Sequence, residues 1–184
     1  MTANMLDLQE EKKLVLNYFN DLDNAENDKL TEIISKYTSD DFYMRCTHPF
    51  NEIKGAENFA KSLWEPIKKS FNPVQRRMDI FYAGVNSHDE NQGRWVSSMG
   101  HLMGIFKKDF FGLRPNNKSV LLRYAEFYKI EHNKITEGAF FLDLMNFMQQ
   151  LGLSIIPEST GLVCVTPGPM NHKGLKFNLS NKNE

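Results

Sequence analysis

The sequence has little cysteine, no excess of basic charge and no long apolar run. Its two cysteines, Cys46 and Cys164, have neither zinc nor redox spacing, so we expect reduced, buried thiols. A net charge of −1 argues against an electrostatic surface for nucleic acid. No apolar run approaches the roughly 18 residues of a membrane helix, and the start "MTANMLDLQEEKK" lacks the pattern of a secretory signal. We therefore expect a cytoplasmic protein with no nucleic-acid or membrane partner.

Aromatic residues and methionine are abundant instead. The chain of 184 residues contains fourteen Phe, nine Met, six Tyr and two Trp, which favours a large, soft apolar interior with room for a cavity. This length fits one domain, at roughly 100–200 residues per domain. We predict a single domain over residues 1–156. The remainder, 157–184, contains "PGP" and a polar end rich in Asn and Lys, which predicts an extended, partly disordered tail.

Helical periodicity dominates the first seventy residues. Apolar residues recur at three- and four-residue steps over 14–22 and again over 30–37, which predicts two amphipathic helices. A third helix is predicted from about Gly55 to Phe71, with a kink at Pro66. Between the second and third helices, "DFYMRCTHPF" predicts a short strand. Alternation places five residues on one face of this strand: Phe42, Met44, Cys46, His48 and Phe50.

From residue 75 onward the period changes to two. Strands are predicted near 75–83, 92–106, 119–131 and 134–143, separated by turn-rich segments, and "DLMNFMQQLG" predicts a final short helix. Gly100 and Gly104 allow the second of these strands to bend. Helices followed by an antiparallel meander predict an α+β domain. A curved antiparallel sheet packed on N-terminal helices would be cone-shaped and enclose an apolar pocket.

Several short motifs follow one another in a fixed order along the second half of the chain: "GHLMG", "PNNK", "HNKI", "EGAFFLD" and "QQLG". Upstream, "HPFNEIKGAENFAKSLWEPI" is a loop-to-helix segment. Together these segments resemble the SnoaL-like polyketide cyclases, within the nuclear transport factor 2-like superfamily, over most of residues 10–152. The resemblance implies a cystatin-like α+β barrel with a pocket between sheet and helices. It also implies an intramolecular aldol reaction that needs no metal or cofactor.

By this resemblance, Asp143 occupies the position of the family's acid/base residue and His101 matches a family histidine. An ordinary Asp has a pKa of about 3.9, and the apolar surroundings in "FFLDLMNFM" should raise that pKa by desolvation. His101 is expected to bond Asp143 or a substrate oxygen, stabilising a developing enolate. Two alternatives stay open: His101 is a structural histidine, and Asp143 is only the N-cap of the final helix.

Substrate-binding residues are predicted from the same alternation and from aromatic surroundings. In strand 92–106, alternation places His101 on one face with mostly apolar neighbours. Glu126 either faces the pocket and pairs with Arg123 or another basic residue, or faces solvent, and His48 is either a pocket donor or a packed core residue. The histidines have no metal-ligand spacing, so no metal site is expected. The full predicted set is His48, Trp64, Trp95, Met99, Met103, Tyr124, Glu126 and Phe141.

Two departures from the family pattern touch the predicted site. Ala139 stands where the family usually has Trp, which should open space, and Gly100 stands where Thr commonly precedes the histidine. Our leading hypothesis is an enzyme that performs cofactor-independent acid/base chemistry on a hydrophobic, carbonyl-bearing, polyketide-like molecule. The reaction would be an aldol cyclisation, an isomerisation or a related proton transfer. The alternative is a non-catalytic carrier or sensor of an apolar metabolite in the same pocket. The resemblance also implies a homodimer.

Overall fold

The computed structural model describes residues 8–88, 92–153, 157 and 160–161. The predicted tail, 157–184, therefore lies almost entirely outside the described residues. The helical elements are α1 (Gln9–Asn24), a 3-10 turn (Asn27–Lys29), α2 (Leu30–Tyr37), α3 (Ala56–Phe59), a π-helical turn (Ala60–Trp64), α4 (Glu65–Ser70) and α5 (Leu144–Gln150). The strands are β1 (Thr38–Cys46), β2 (Glu52–Lys54), β3 (Phe71–Val85), β4 (Arg94–Phe106), β5 (Ser119–Glu131) and β6 (Lys134–Leu142).

The six strands form one curved sheet in the order β2-β1-β6-β5-β4-β3. The meander from β3 to β6 is antiparallel throughout, as predicted from the change of period and the intervening turns. β1 joins β6 in parallel, a long-range pairing that no local pattern predicts. The α+β class and the curved sheet with N-terminal helices are thus confirmed. None of the helices in the described part of the chain is long and apolar enough to cross a membrane.

The third helical region differs from its prediction. Its buried residues, Phe59, Leu63 and Ile67, face the core. The helix is interrupted, however, by the π-helical turn, which ends two residues before Pro66. Pro66 is the second residue of α4, which continues the π-helical turn without a break: the backbone N–H of Glu65 bonds to the carbonyl oxygen of Ala60.

The two faces of the sheet have different environments. The inner face packs on α1: the ring centroid of Tyr128 lies 5.7 Å from that of Tyr18 and 5.9 Å from that of Phe19. Even-numbered residues of β4 and β5 point to this inner face and most are buried, whereas most odd-numbered residues point to a half-exposed outer face. β3 carries a bulge at Asp79, between Met78 and Ile80, which bends it against β4.

Candidate functional site

A buried acid–guanidinium–acid cluster lies on the inner face of the sheet. The Arg76 side chain on β3 is 5% exposed, and its Nε donates to Asp23 Oδ2 at 2.9 Å, near the end of α1. Its Nη1 donates to Glu126 Oε1 at 2.6 Å, and the Glu126 side chain on β5 is 0% exposed. Buried charges are unfavourable unless paired. Arg76 therefore makes it possible for Glu126 to lie inside the domain.

Aromatic rings enclose the guanidinium of Arg76. Its central carbon lies 4.2 Å from the ring centroid of Phe19, 5.1 Å from that of Tyr124 and 5.3 Å from that of Trp64. Such cation–π contacts stabilise a desolvated cation. The Tyr128 hydroxyl donates to the second oxygen of Glu126, Oε2, at 2.7 Å. The cluster thus combines paired charges with the flat faces of apolar rings.

Three hydrogen-bond donors in this cluster make no hydrogen bond of normal geometry, although the Tyr128 hydroxyl neighbours that of Tyr18 and Tyr124 neighbours Arg76. Within the described residues, five buried side-chain polar atoms are unpaired, and Tyr18 Oη, Trp64 Nε1 and Arg76 Nη2 are three of them. An unsatisfied buried donor costs about 1–3 kcal/mol, so native proteins keep few. Trp64 also ends the π-helical turn, a feature frequent at functional sites. Buried donors of this kind are commonly bonded to an ordered water or a ligand oxygen.

Burial shifts the protonation of the cluster. It raises the pKa of the Glu126 carboxyl, and the nearby Arg76 cation opposes part of that increase. Burial also raises the pKa values of the Tyr18, Tyr124 and Tyr128 phenols, which keeps all three as neutral donors. A carboxyl with a raised pKa exchanges protons more efficiently near neutral pH than an exposed one. Burial and the Arg76 cation therefore act in opposite directions on the pKa of Glu126.

Three of the predicted substrate-binding residues meet in this cluster: Trp64, Tyr124 and Glu126. Glu126 faces the interior, and its cationic partner is Arg76, whereas Arg123 lies on the outer face. Sequence reasoning missed the remaining members, which are Arg76, Asp23 and Tyr18.

The predicted catalytic pair, His101 and Asp143, lies on the outer face instead. His101 is 3% exposed, and its Nδ1 lies 3.0 Å from Asp79 Oδ2 at the bulge of β3. Asp143 accepts from Arg123 Nε at 3.1 Å and from the backbone N–H of Asn146 at 2.9 Å, so it caps α5. Arg123 is the register partner of His101, and no hydrogen bond among the described residues joins His101 to Asp143. A joint catalytic role for the pair stays a prediction.

The remaining predicted residues lie at or near the surface. Trp95, Met99, Met103 and Phe141 share the outer face with His101, partly exposed. The space beside Ala139 belongs to a shallow outer groove of about 480 Å³. His48 is exposed, because β1 ends at Cys46 and residues 47–50 form a turn, so the packed-core alternative for His48 is wrong. Among the described residues, no group of three His, Cys, Asp or Glu is arranged to hold a metal ion.

Comparisons with known proteins agree with this architecture. The family model described as SnoaL-like polyketide cyclase matches residues 15–151. A putative SnoaL-like polyketide cyclase from Jannaschia sp. CCS1 is similar at 16% identity and a TM-score of 0.60, over 85% of this chain and 99% of that chain. AclR, a putative hydroxylase from Streptomyces galilaeus, is similar at 19% identity and a TM-score of 0.60, over 82% and 91%.

The wider fold family is represented as well. An NTF2-like protein from Burkholderia thailandensis E264 is similar at 12% identity and a TM-score of 0.56, over 76% of this chain and 95% of that chain. A search of curated protein sequences gives no significant match. At these identities the solved structures establish the fold, and the match over residues 15–151 establishes the family. The chain belongs to the SnoaL-like polyketide cyclase family.

Proposed function

We propose that this protein catalyses a cofactor-independent proton transfer on a hydrophobic, carbonyl-bearing, polyketide-like molecule, as in an aldol cyclisation or isomerisation. Family membership supports a role of the cyclase or isomerase type. The observation that carries the proposal is a fully buried carboxylate, Glu126, in one cluster with three unpaired donors. A base and free donors together are what carbonyl α-proton chemistry requires.

Glu126 is the acid/base group in this proposal. Its carboxylate takes a proton from the carbon beside a substrate carbonyl, the C–H electron pair forms a C=C bond, and the carbonyl π pair moves onto oxygen. In a cyclisation, the enolate carbon then attacks a second carbonyl, and Glu126 returns the proton to the new alkoxide. Negative charge moves from the carboxylate to the substrate oxygen, so the number of buried charges does not change. Such a step avoids the cost of creating a new charge in an apolar interior.

In this proposal the aromatic residues of the cluster orient the substrate. Proton transfer by one side chain contributes typically about 10²–10⁴-fold, and the remaining acceleration comes from holding two carbonyl groups of one molecule in reacting geometry. Phe19, Trp64 and Tyr124 already surround the Arg76 guanidinium with flat surfaces. Aromatic surroundings of this kind favour an aromatic or conjugated substrate beside the guanidinium.

The test compares two carboxamide variants. Glu126→Gln retains the shape of the side chain, and we expect it to lower turnover of poly-β-ketone model substrates by at least about a hundredfold. Asp143→Asn, the matched control on the outer face, should stay within a few-fold of the wild type. Product formation is followed by chromatography and NMR, because a cyclised isomer has unchanged mass. Full activity in Glu126→Gln together with loss of activity in Asp143→Asn would reject Glu126 and assign the role to Asp143.

A non-catalytic carrier is the second candidate, favoured by the complete burial of Glu126 and Tyr128. A site that deep also suits a ligand that is held without reaction. Native mass spectrometry of the purified protein separates the two functions. A bound metabolite that is released unchanged, from the wild type and from Glu126→Gln alike, supports the carrier.

A further inference from the structure

We infer that Tyr18, Trp64 and Arg76 form an oxyanion-binding site: the Tyr18 O–H, the Trp64 Nε1–H and the Nη2 edge of Arg76 bind the oxygen atoms of an enolate or phenolate ligand. The inference rests on the proposed function, because it makes Glu126 the group that holds the proton while the oxygen is anionic. It goes further by naming the charge state of the bound species and the atoms that bind it.

The geometry of Arg76 leaves one edge of its guanidinium available. Its Nε donates to Asp23 at 2.9 Å and its Nη1 to Glu126 at 2.6 Å, while Nη2 has no partner. A guanidinium is a rigid plane with five N–H groups, so two fixed ends determine the direction of the third nitrogen. Asp23 is therefore a positioning residue, since it holds Arg76 from the side opposite Glu126.

The other two donors belong to rings that pack against members of the same cluster. The Tyr18 ring packs 5.7 Å from the ring of Tyr128, whose hydroxyl is bonded to Glu126, and the Trp64 ring lies under the Arg76 guanidinium. An indole N–H and a guanidinium only donate, and burial keeps the Tyr18 phenol protonated by raising its pKa. The missing partner is therefore an acceptor. Hydrogen bonds to a charged acceptor are roughly twice as strong as those to a neutral one.

The protonation state of Glu126 determines whether a ligand anion can bind in the site. Asp23, Arg76 and ionised Glu126 together carry a net charge of −1, and a second anion beside ionised Glu126 would be repelled. With a proton on Glu126, the ligand anion replaces the lost charge and faces Arg76. The groups that interact electrostatically with Glu126 are Tyr18 and Asp23 from α1, Cys46 from β1, Arg76 from β3, and Tyr124 and Tyr128 from β5.

The test is a binding titration with 4-nitrophenol, whose phenolate has its own visible absorption band. Glu126→Gln imitates the protonated acid, and we expect it to bind the phenolate at least about fivefold more tightly than the wild type. Tyr18→Phe should weaken binding by about tenfold. Because the Tyr18 hydroxyl makes no hydrogen bond of normal geometry in the free protein, Tyr18→Phe should change the melting temperature little. The control is Tyr37→Phe, whose hydroxyl is bonded to Asp21 at 2.7 Å outside the cluster, and it should bind normally.

Failure of this inference is distinguishable from failure of the proposed function. The oxyanion site is rejected if the wild type does not bind the probe, if Tyr18→Phe binds as tightly as the wild type, or if Glu126→Gln binds more weakly. Tighter binding by a Glu126→Gln variant that keeps full turnover leaves the oxyanion site standing and removes Glu126 from the catalytic step.

Discussion

Gly100 controls the bend of β4 through one absent methyl group. A Cβ atom at this position would lie 2.0 Å from the carbonyl oxygen of Arg77, far inside normal contact. That carbonyl comes close because β3 bulges at Asp79, beside the register partner of Gly100. The threonine that commonly precedes the histidine in the family would not fit against this bulge. The departure seen in the sequence therefore has a structural cause.

We expect Gly100→Ala to lower the free energy of unfolding by about 2–3 kcal/mol, because the backbone of β3 must shift to admit the methyl group. Urea denaturation measures the loss. Gly84→Ala is the control: a Cβ there meets nothing within 4 Å, and its effect should stay within about 0.5 kcal/mol. Similar losses in both variants would contradict the close approach at Gly100.

The same bulge explains why Arg76 was missed. Counting back by two from buried Phe81, alternation would place Asp79 and Arg77 inward. The extra residue at Asp79 reverses that parity, so Arg76 faces the interior and Arg77 is exposed. Alternation did group His101 with its correct neighbours on β4. It did not tell which face met the helices, because both faces of β4 carry apolar side chains.

At the scale of helices and strands, the spacing of apolar residues predicted the elements correctly where the buried side follows the ordinary helical or strand period. The meander from β3 to β6 and the buried stripes of α1 and α2 agree with the predictions made from period and turn residues. The π-helical turn at Ala60–Trp64 and the parallel pairing of β1 with β6 were not predicted. The β1–β6 pairing joins residues far apart in sequence, such as Thr38 and Ile135, which a window of neighbouring residues does not contain.

Asp143 has a structural role at the start of α5, where it is the N-cap residue. The Asp143 carboxylate accepts hydrogen bonds from the backbone N–H of Asn146 and from the Arg123 side chain. We expect Asp143→Ala to lower the free energy of unfolding by about 1–2 kcal/mol, and Asp143→Ser, which keeps an N-cap oxygen, to lose less than half as much. Chemical denaturation provides the measurement. Equal losses in the two variants would show that capping is not the main contribution.

At the scale of the whole molecule, the outer face of the sheet exposes several neighbouring aromatic side chains to solvent. Tyr82 and Phe141 are 49% and 48% exposed there, at the rim of the groove of about 480 Å³. Trp95, Phe127 and Ala139 also line this groove. Contiguous exposed apolar residues mark interaction sites. We propose that this face pairs with the same face of a second copy, as the family resemblance implied.

Phe141→Lys tests this homodimer. Two opposed lysines at a two-fold interface repel each other, and removing their charges from water costs free energy. We expect the molecular mass from light scattering to change from dimer to monomer. Phe111→Lys removes an equally exposed ring, at 50%, from the loop after β4 and should leave the dimer intact. A wild type that is already monomeric contradicts the proposal. The Glu126 cluster lies within one copy of the protein. A monomeric Phe141→Lys variant should therefore keep most of its turnover. If the chemistry took place instead at His101 and Asp143 on the outer face, turnover would change when the loss of the dimer exposes that face.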